Sequence, residues 1–209
     1  MAANEFEFEG RQEMKRAAIG IRMHSGWGAL VVMSDESALE VVDRRHIVVA
    51  EAGIPGSKQP YHYVERSGLK VAEKYLANCS AASGQLASVA VGEIVEELDK
   101  RGYRVWAAVI LMASGRALPS LAQILASHAL IHAAEGEFFR TIVRKACEDI
   151  GIAVTPLRER EVEQRAREVL GTKTNQTKQR ISRCGKRLGP PWTQDEKIAA
   201  LAATLILRL

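Results

Sequence analysis

Ala17 to Met23 and Trp27 to Met33 are short runs of small, apolar and β-branched residues, joined by His24-Ser25-Gly26. Two such runs around a glycine turn predict a hairpin of strands. Ser34 to Ser37 predicts a second turn, and Ala38 to Glu51, rich in Val, a third strand. The chain therefore opens on an antiparallel meander. Gly53 to Pro60 has the Gly/Pro density of a loop. From about Tyr61 to Arg101 the pattern turns helical. Val64, Leu69, Ala72, Tyr75 and Leu76 recur at that spacing, as do Leu86, Val89, Val91, Ile94, Val95 and Leu98. The small residues from Ser80 to Gly84 allow a kink, or a join between two helices. Gly102 to Ser114 is an apolar run of strand length, which predicts a strand buried on both faces.

Gly115 to His128 reads as a loop with one helical turn. Ala129 to Gly151 reads as a helix closed by Gly151, and Ile152 to Leu157 as a short strand stopped by Pro156. A charged helix follows, then a basic one over about Gln176 to Arg187. Gly189-Pro190-Pro191 breaks the chain before a last apolar helix from Trp192 to Leu209. Strands four and five each follow a crossover helix, so they should join the sheet parallel and right-handed. The expected fold is α/β: a five-stranded mixed sheet, three strands antiparallel and then two parallel, with helices on both faces. Residues 1–16 are polar and acidic and predict a flexible tail before a single domain over 17–209. No signal peptide and no stretch long enough for a membrane span is visible, which favours a cytoplasmic protein with no membrane partner.

Composition adds a core and an uneven charge. Hydrophobic residues make up 47% of the 209. Cys79, Cys147 and Cys184 lie far apart without a CxxC pair, as expected of thiols in a reducing compartment. The net charge is +4, yet the segment from Gly171 to Gly189 holds Lys173, Lys178, Arg180, Arg183, Lys186 and Arg187 and no acid. Such a segment is either a local positive field for phosphates, hence a candidate nucleic-acid contact, or a solvated helix face. No Gly-rich loop followed by Lys and Ser/Thr is present, so a nucleotide cofactor is not expected. Trp27, Trp106 and Trp192 are widely spaced and read as core anchors rather than stacking platforms. The apolar C-terminal helix is either core or the contact of a homodimer.

Three stretches carry a resemblance. Ile19-Gly20-Ile21-Arg22 through Gly26-Trp27 to Val32 is similar to the first hairpin of the ribonuclease H-like superfamily, most of all its Holliday-junction resolvase branch, RuvC. Ala133 to Arg160 resembles that family's helix and fifth strand. Lys178 to Leu207 resembles its Lys-led helix, linker and closing helix. The resemblance implies an RNase H-like fold and, in active members, four acids that hold two Mg²⁺ or Mn²⁺ ions for phosphodiester hydrolysis. Here the first acidic place holds Arg22, a fixed cation. The second falls at Met112, Ala113 and Ser114. On the last helix Asp195 and Glu196 stand near the third place, and Ile198 and Ala199 near the fourth. The resemblance therefore implies a RuvC-like protein without two-metal hydrolysis. It would bind nucleic acid or a protein partner through Arg22, His24, the 171–189 segment and the helix start from His128 to Arg140, with no cofactor. A carboxylate such as Glu135 or Asp195 facing Arg22 would make the old metal site an ion-paired core, and open solvent would make it a phosphate contact.

A second constellation is His128, His132 and Glu135, at i, i+4 and i+7. On one helix these share a face to within about 60°. Paired His one turn apart is a metal-ligand spacing, and the acid could complete three ligands. The same residues also suit a polar cluster tying the loop to the helix. The rival functional expectation is a metal-dependent nuclease or phosphoester hydrolase whose cleft uses His128, His132, Glu135 and Asp195, with Mg²⁺ or Mn²⁺. Such a cleft requires the side chains of His132, Glu135 and Asp195 to converge.

Overall fold

The computed structural model describes residues 14–35, 38–113 and 117–208. Strands β1 (Lys15–His24), β2 (Trp27–Ser34) and β3 (Glu40–Val48) form the antiparallel meander, and β4 (Tyr103–Met112) and β5 (Ala153–Arg158) add parallel to it. The order across the sheet is β3-β2-β1-β4-β5. This is the RNase H-like sheet that the resemblance implies. Gly26, at φ +80°, makes the turn that pairs His24 with Trp27.

Alternation along the strands builds two apolar layers. Ala17, Ile19, Ile21 and Met23 of β1 and Ala108 and Ile110 of β4 face α2 (Leu69–Lys100) and α4 (His128–Asp149), with Phe139 fully buried among them. Ala18 of β1 and Ala107, Val109 and Leu111 of β4 face α5 (Val162–Leu170), α6 (Thr174–Leu188) and α7 (Gln194–Leu207). β4 is thus buried on both sides from Ala107 to Leu111, whereas its first residues, Arg104 and Trp106 among them, are not, so the expected burial holds for half the strand. α7 lies close against β1 because β1 carries no side chain at Gly20. A Cβ there would sit 1.9 Å from the carbonyl oxygen of Ala199.

Three expectations change in detail. α2 is one helix of 32 residues, without a break at Ser80 to Gly84. Its buried stripe of Ala72, Leu76, Cys79, Ser83, Ala87, Val91, Ile94 and Leu98 steps by three and four without interruption, so the small residues only narrow the helix where it packs. Val89, counted in the periodic set, is exposed. Pro156 does not stop β5. It pairs with Ile110 inside the strand, which is possible because β5 borders the sheet and needs no donor on its free side. The expected tail over 1–16 ends earlier than expected, since Lys15 and Arg16 open β1, paired with Tyr103 and Arg104; its residues 1–13, Ser114 and the side chain of Lys186 lie outside the described residues. Among the described residues no helix is long and apolar enough to cross a membrane.

Candidate functional site

Arg22 stands near the carboxyl end of β1, on the face turned to α7. Its guanidinium meets Glu159 through two bonds, Nε to Oε2 at 3.0 Å and Nη2 to Oε1 at 2.8 Å, and Nη1 donates to Asp195 Oδ1. The other oxygen of Asp195 lies 2.9 Å from His24 Nε2. β1 supplies the cation and the imidazole, the turn after β5 supplies Glu159, and the first turn of α7 supplies Asp195. Asp195 is held in place by a capping box in which Thr193 Oγ1 accepts from Asp195 N and Glu196 Oε2 accepts from Thr193 N. Glu196 is therefore a capping group rather than a ligand. The two acids raise the Arg22 pKa above its ordinary value, with the Glu159 hydrogen bonds the largest cause and burial opposing them.

Arg140 of α4 comes to the same end of the sheet. Its Nε donates to the carbonyl of Leu111 at 3.0 Å, and burial lowers its pKa, with Arg22 adding to the lowering. Gly136 makes room for it, since a Cβ there would lie 2.7 Å from Arg140 Nη1. Beside this network an open groove of about 640 Å³ is lined by Met112, Glu137, Arg144, Pro156, Arg158 and Glu161. The carboxyl ends of parallel strands are where α/β sheets bind ligands. The residues present do not fit a pair of Mg²⁺ or Mn²⁺ ions. The acids at this place are already engaged by a guanidinium, and β4 ends at Met112 with no carboxylate.

The histidines of α4 build a separate cluster on the opposite side of the sheet. His128 is the first residue of α4, just after the Ser127 N-cap position, and still faces His132 with ring centroids 4.4 Å apart. His62, from the single-turn helix α1 (Pro60–Tyr63), joins them at 5.5 Å from His128 and 4.7 Å from His132. Glu135 lies behind His62. Its Oε1 accepts from Tyr61 N at 2.9 Å, His62 N at 3.0 Å and His62 Nδ1 at 3.1 Å. Its Oε2 is buried without a partner among the described residues. Burial raises the Glu135 pKa, and the bonds from His62 and Tyr61 pull the other way.

The single cleft that requires His132, Glu135 and Asp195 to converge is not formed. Glu135 is engaged by α1, and Asp195 by Arg22 and His24 across the sheet. Likewise Arg22 and His24, expected among the binding residues, are occupied by carboxylates. Of the two carboxylates expected opposite Arg22, Asp195 is there and Glu135 is not. Glu159 was missed, because its charged surroundings, Arg158 to Glu163, resemble any solvated helix start. His62 was missed because nothing in spacing links a lone loop histidine to residues 128 and 132.

The basic segment forms most of α6. Ile181 and Cys184 turn inward, and Arg180, Arg183 and Arg187 lie exposed within about 60° of one another on the outer side. These three arginines have no ion pair among the described residues, and Lys173 is also exposed. Lys178 pairs with Glu163. The end of α6 is fixed by Arg44 of β3, whose guanidinium reaches the carbonyls of Leu188, Gly189, Pro190 and Pro191. Trp27 is stacked on both faces, by His24 at 4.2 Å and His46 at 4.7 Å, so neither face is open to a base. Trp192 donates to the Ile181 carbonyl and packs on Gly185. Trp106 is partly exposed beneath Arg16.

No family model matches the chain, and no curated protein matches it. Among solved structures it is similar to T. thermophilus RuvC in complex with a Holliday junction substrate, at 10% identity over 91% of each chain with a TM-score of 0.49. It is also similar to a second Thermus thermophilus RuvC structure, at 12% identity over 92% of this chain and 95% of that one, TM-score 0.47. A third is the Aquifex aeolicus member of the Ppx/GppA family, at 14% identity over 75% of this chain and 39% of that one, TM-score 0.34. The RNase H-like architecture rests on the strand order and directions of the sheet itself.

Proposed function

We propose that this protein binds nucleic acid through the outer face of α6 and does not hydrolyse it by a two-metal mechanism. The observation that carries the reading is Arg22, whose guanidinium takes both Glu159 and Asp195 at the end of β1. A fixed internal cation there engages the carboxylates that divalent ions would need as ligands, and it cannot activate a water as they do. The exposed Arg180, Arg183 and Arg187, with Lys173, supply a row of cations without an ion pair among the described residues, the charge that phosphates are drawn to. The substrate class is a charged backbone rather than a base sequence, because the aromatic side chain against α6, Trp192, is packed on Gly185 and bonded to the Ile181 carbonyl.

The test is fluorescence anisotropy with four-way-junction, duplex and single-stranded DNA and with RNA across a salt series. A junction is included because one similar RuvC structure holds one. Affinity should fall steeply with salt, and Ala at positions 180, 183 and 187 together should reduce the log–log slope by up to about 2.7. A salt-independent signal, or a slope untouched by the triple variant, overturns the binding surface. Cleavage that needs Mg²⁺ or Mn²⁺ and disappears in Asp195→Asn overturns the non-hydrolytic half.

A further inference from the structure

We propose that His62, His128 and His132 bind one divalent transition-metal ion of the zinc class, with Glu135 positioning His62 and a fourth coordination place left to water. This site goes beyond the nucleic-acid reading and does not depend on it. The three imidazoles each offer one nitrogen, and those atoms lie within 4.8 Å of one another. Tetrahedral coordination with metal–nitrogen bonds of 2.0–2.1 Å brings ligand nitrogens to about 3.3 Å. His128 and His132 are exposed, so rotation about their side-chain torsions closes the difference without moving backbone. The rings are inclined to one another at 80°, 62° and 90°, as ligands approaching one point from different directions are.

The acid behind the rings is the second, independent observation. Glu135 is only 3% exposed, and no Lys or Arg pairs with it among the described residues. A buried carboxylate without a cation is costly. It is fixed by two backbone N–H groups of α1 and by His62 Nδ1, which leaves His62 Nε2 as the ligand atom. A carboxylate behind a ligand imidazole sets its tautomer and orientation, and the bound dication supplies the missing counter-charge. Glu135 therefore acts through His62 rather than as a ligand itself, and His62 takes the third place instead. Three imidazoles favour zinc, cobalt, nickel or copper over magnesium or calcium, which prefer oxygen. The ion would also join α1 to the first turn of α4.

The experiment uses the full chain, stripped with a chelator and titrated with Zn²⁺ by calorimetry and with Co²⁺ by visible absorption. The expected result is one equivalent bound and the intense bands of tetrahedral cobalt. His62→Ala and His132→Ala should each weaken binding at least about 100-fold, and Glu135→Gln about 10-fold with a changed cobalt spectrum. His46→Ala, which removes a histidine stacked on Trp27 instead, should leave affinity unchanged. Circular dichroism of the metal-free variants checks that they fold, which the exposure of His132 favours. Absence of stoichiometric binding overturns the site. So does binding that survives His132→Ala, or that is lost equally in His46→Ala. None of these readouts involves nucleic acid, so the two proposals fail separately.

Discussion

At the scale of single residues, Arg22 decides the character of the site. It is a quarter exposed, while Asp195 is mostly covered, so their pairing sits between the weak surface and strong buried regimes. Arg22→Ala should cost about 2 kcal/mol in denaturant unfolding, because two acids are left facing each other. Millimolar Mg²⁺ should then raise the melting temperature of the variant and leave the wild type unmoved, since in the variant Glu159 and Asp195 are freed of Arg22. A fixed cation at position 22 was legible in the sequence, and so was the idea of a carboxylate partner. Which carboxylate was not, because Glu159 and Asp195 arrive from elements 137 and 173 residues away. The thiols give a further test at this scale. Cys79, Cys147 and Cys184 are buried, and burial pushes the Cys147 thiol up to about 12. Burial keeps a reagent from all three, and at Cys147 the raised pKa also leaves almost no thiolate at neutral pH, so a disulfide reagent should modify these cysteines only as the protein unfolds.

At the scale of elements, α7 depends on two local devices. One is the bare backbone of Gly20 under Ala199. Gly20→Ala forces a methyl into a main-chain carbonyl and should cost at least about 2 kcal/mol in chemical denaturation, with α7 lifted from the sheet. The other is the capping box at Thr193. Thr193→Ala should cost about 1 kcal/mol and should also loosen the Arg22–Asp195 contact, because the cap sets the direction of Asp195. The strands and most helices were readable from periodicity, since a buried stripe is written into the spacing of apolar residues. The continuity of α2 was not, because small residues at Ser80 to Gly84 signal a break and a close packing face equally well. What decides is the neighbour on the other side, which the local pattern does not contain.

At the scale of the whole molecule, the sheet separates two chemistries. One face carries the arginine–carboxylate network and the basic helix, and the other the histidine cluster with its buried acid. The expected joint site failed for that reason: α4, which carries His132 and Glu135, and α7, which carries Asp195, pack on opposite faces of the sheet. A second copy of the chain, if one assembles, has little sheet border to use. β3 borders one side with Asp43, Arg44 and Arg45 already tied to neighbours. β5 borders the other with six residues and Pro156 among them, a position that offers an incoming strand no donor. Under heat or crowding, that proline acts as a guard against strand-by-strand accretion into fibres. Pro156→Val should shorten the lag before thioflavin-positive aggregates form, so the residue that looked like the end of a strand is better understood as protection for its open side.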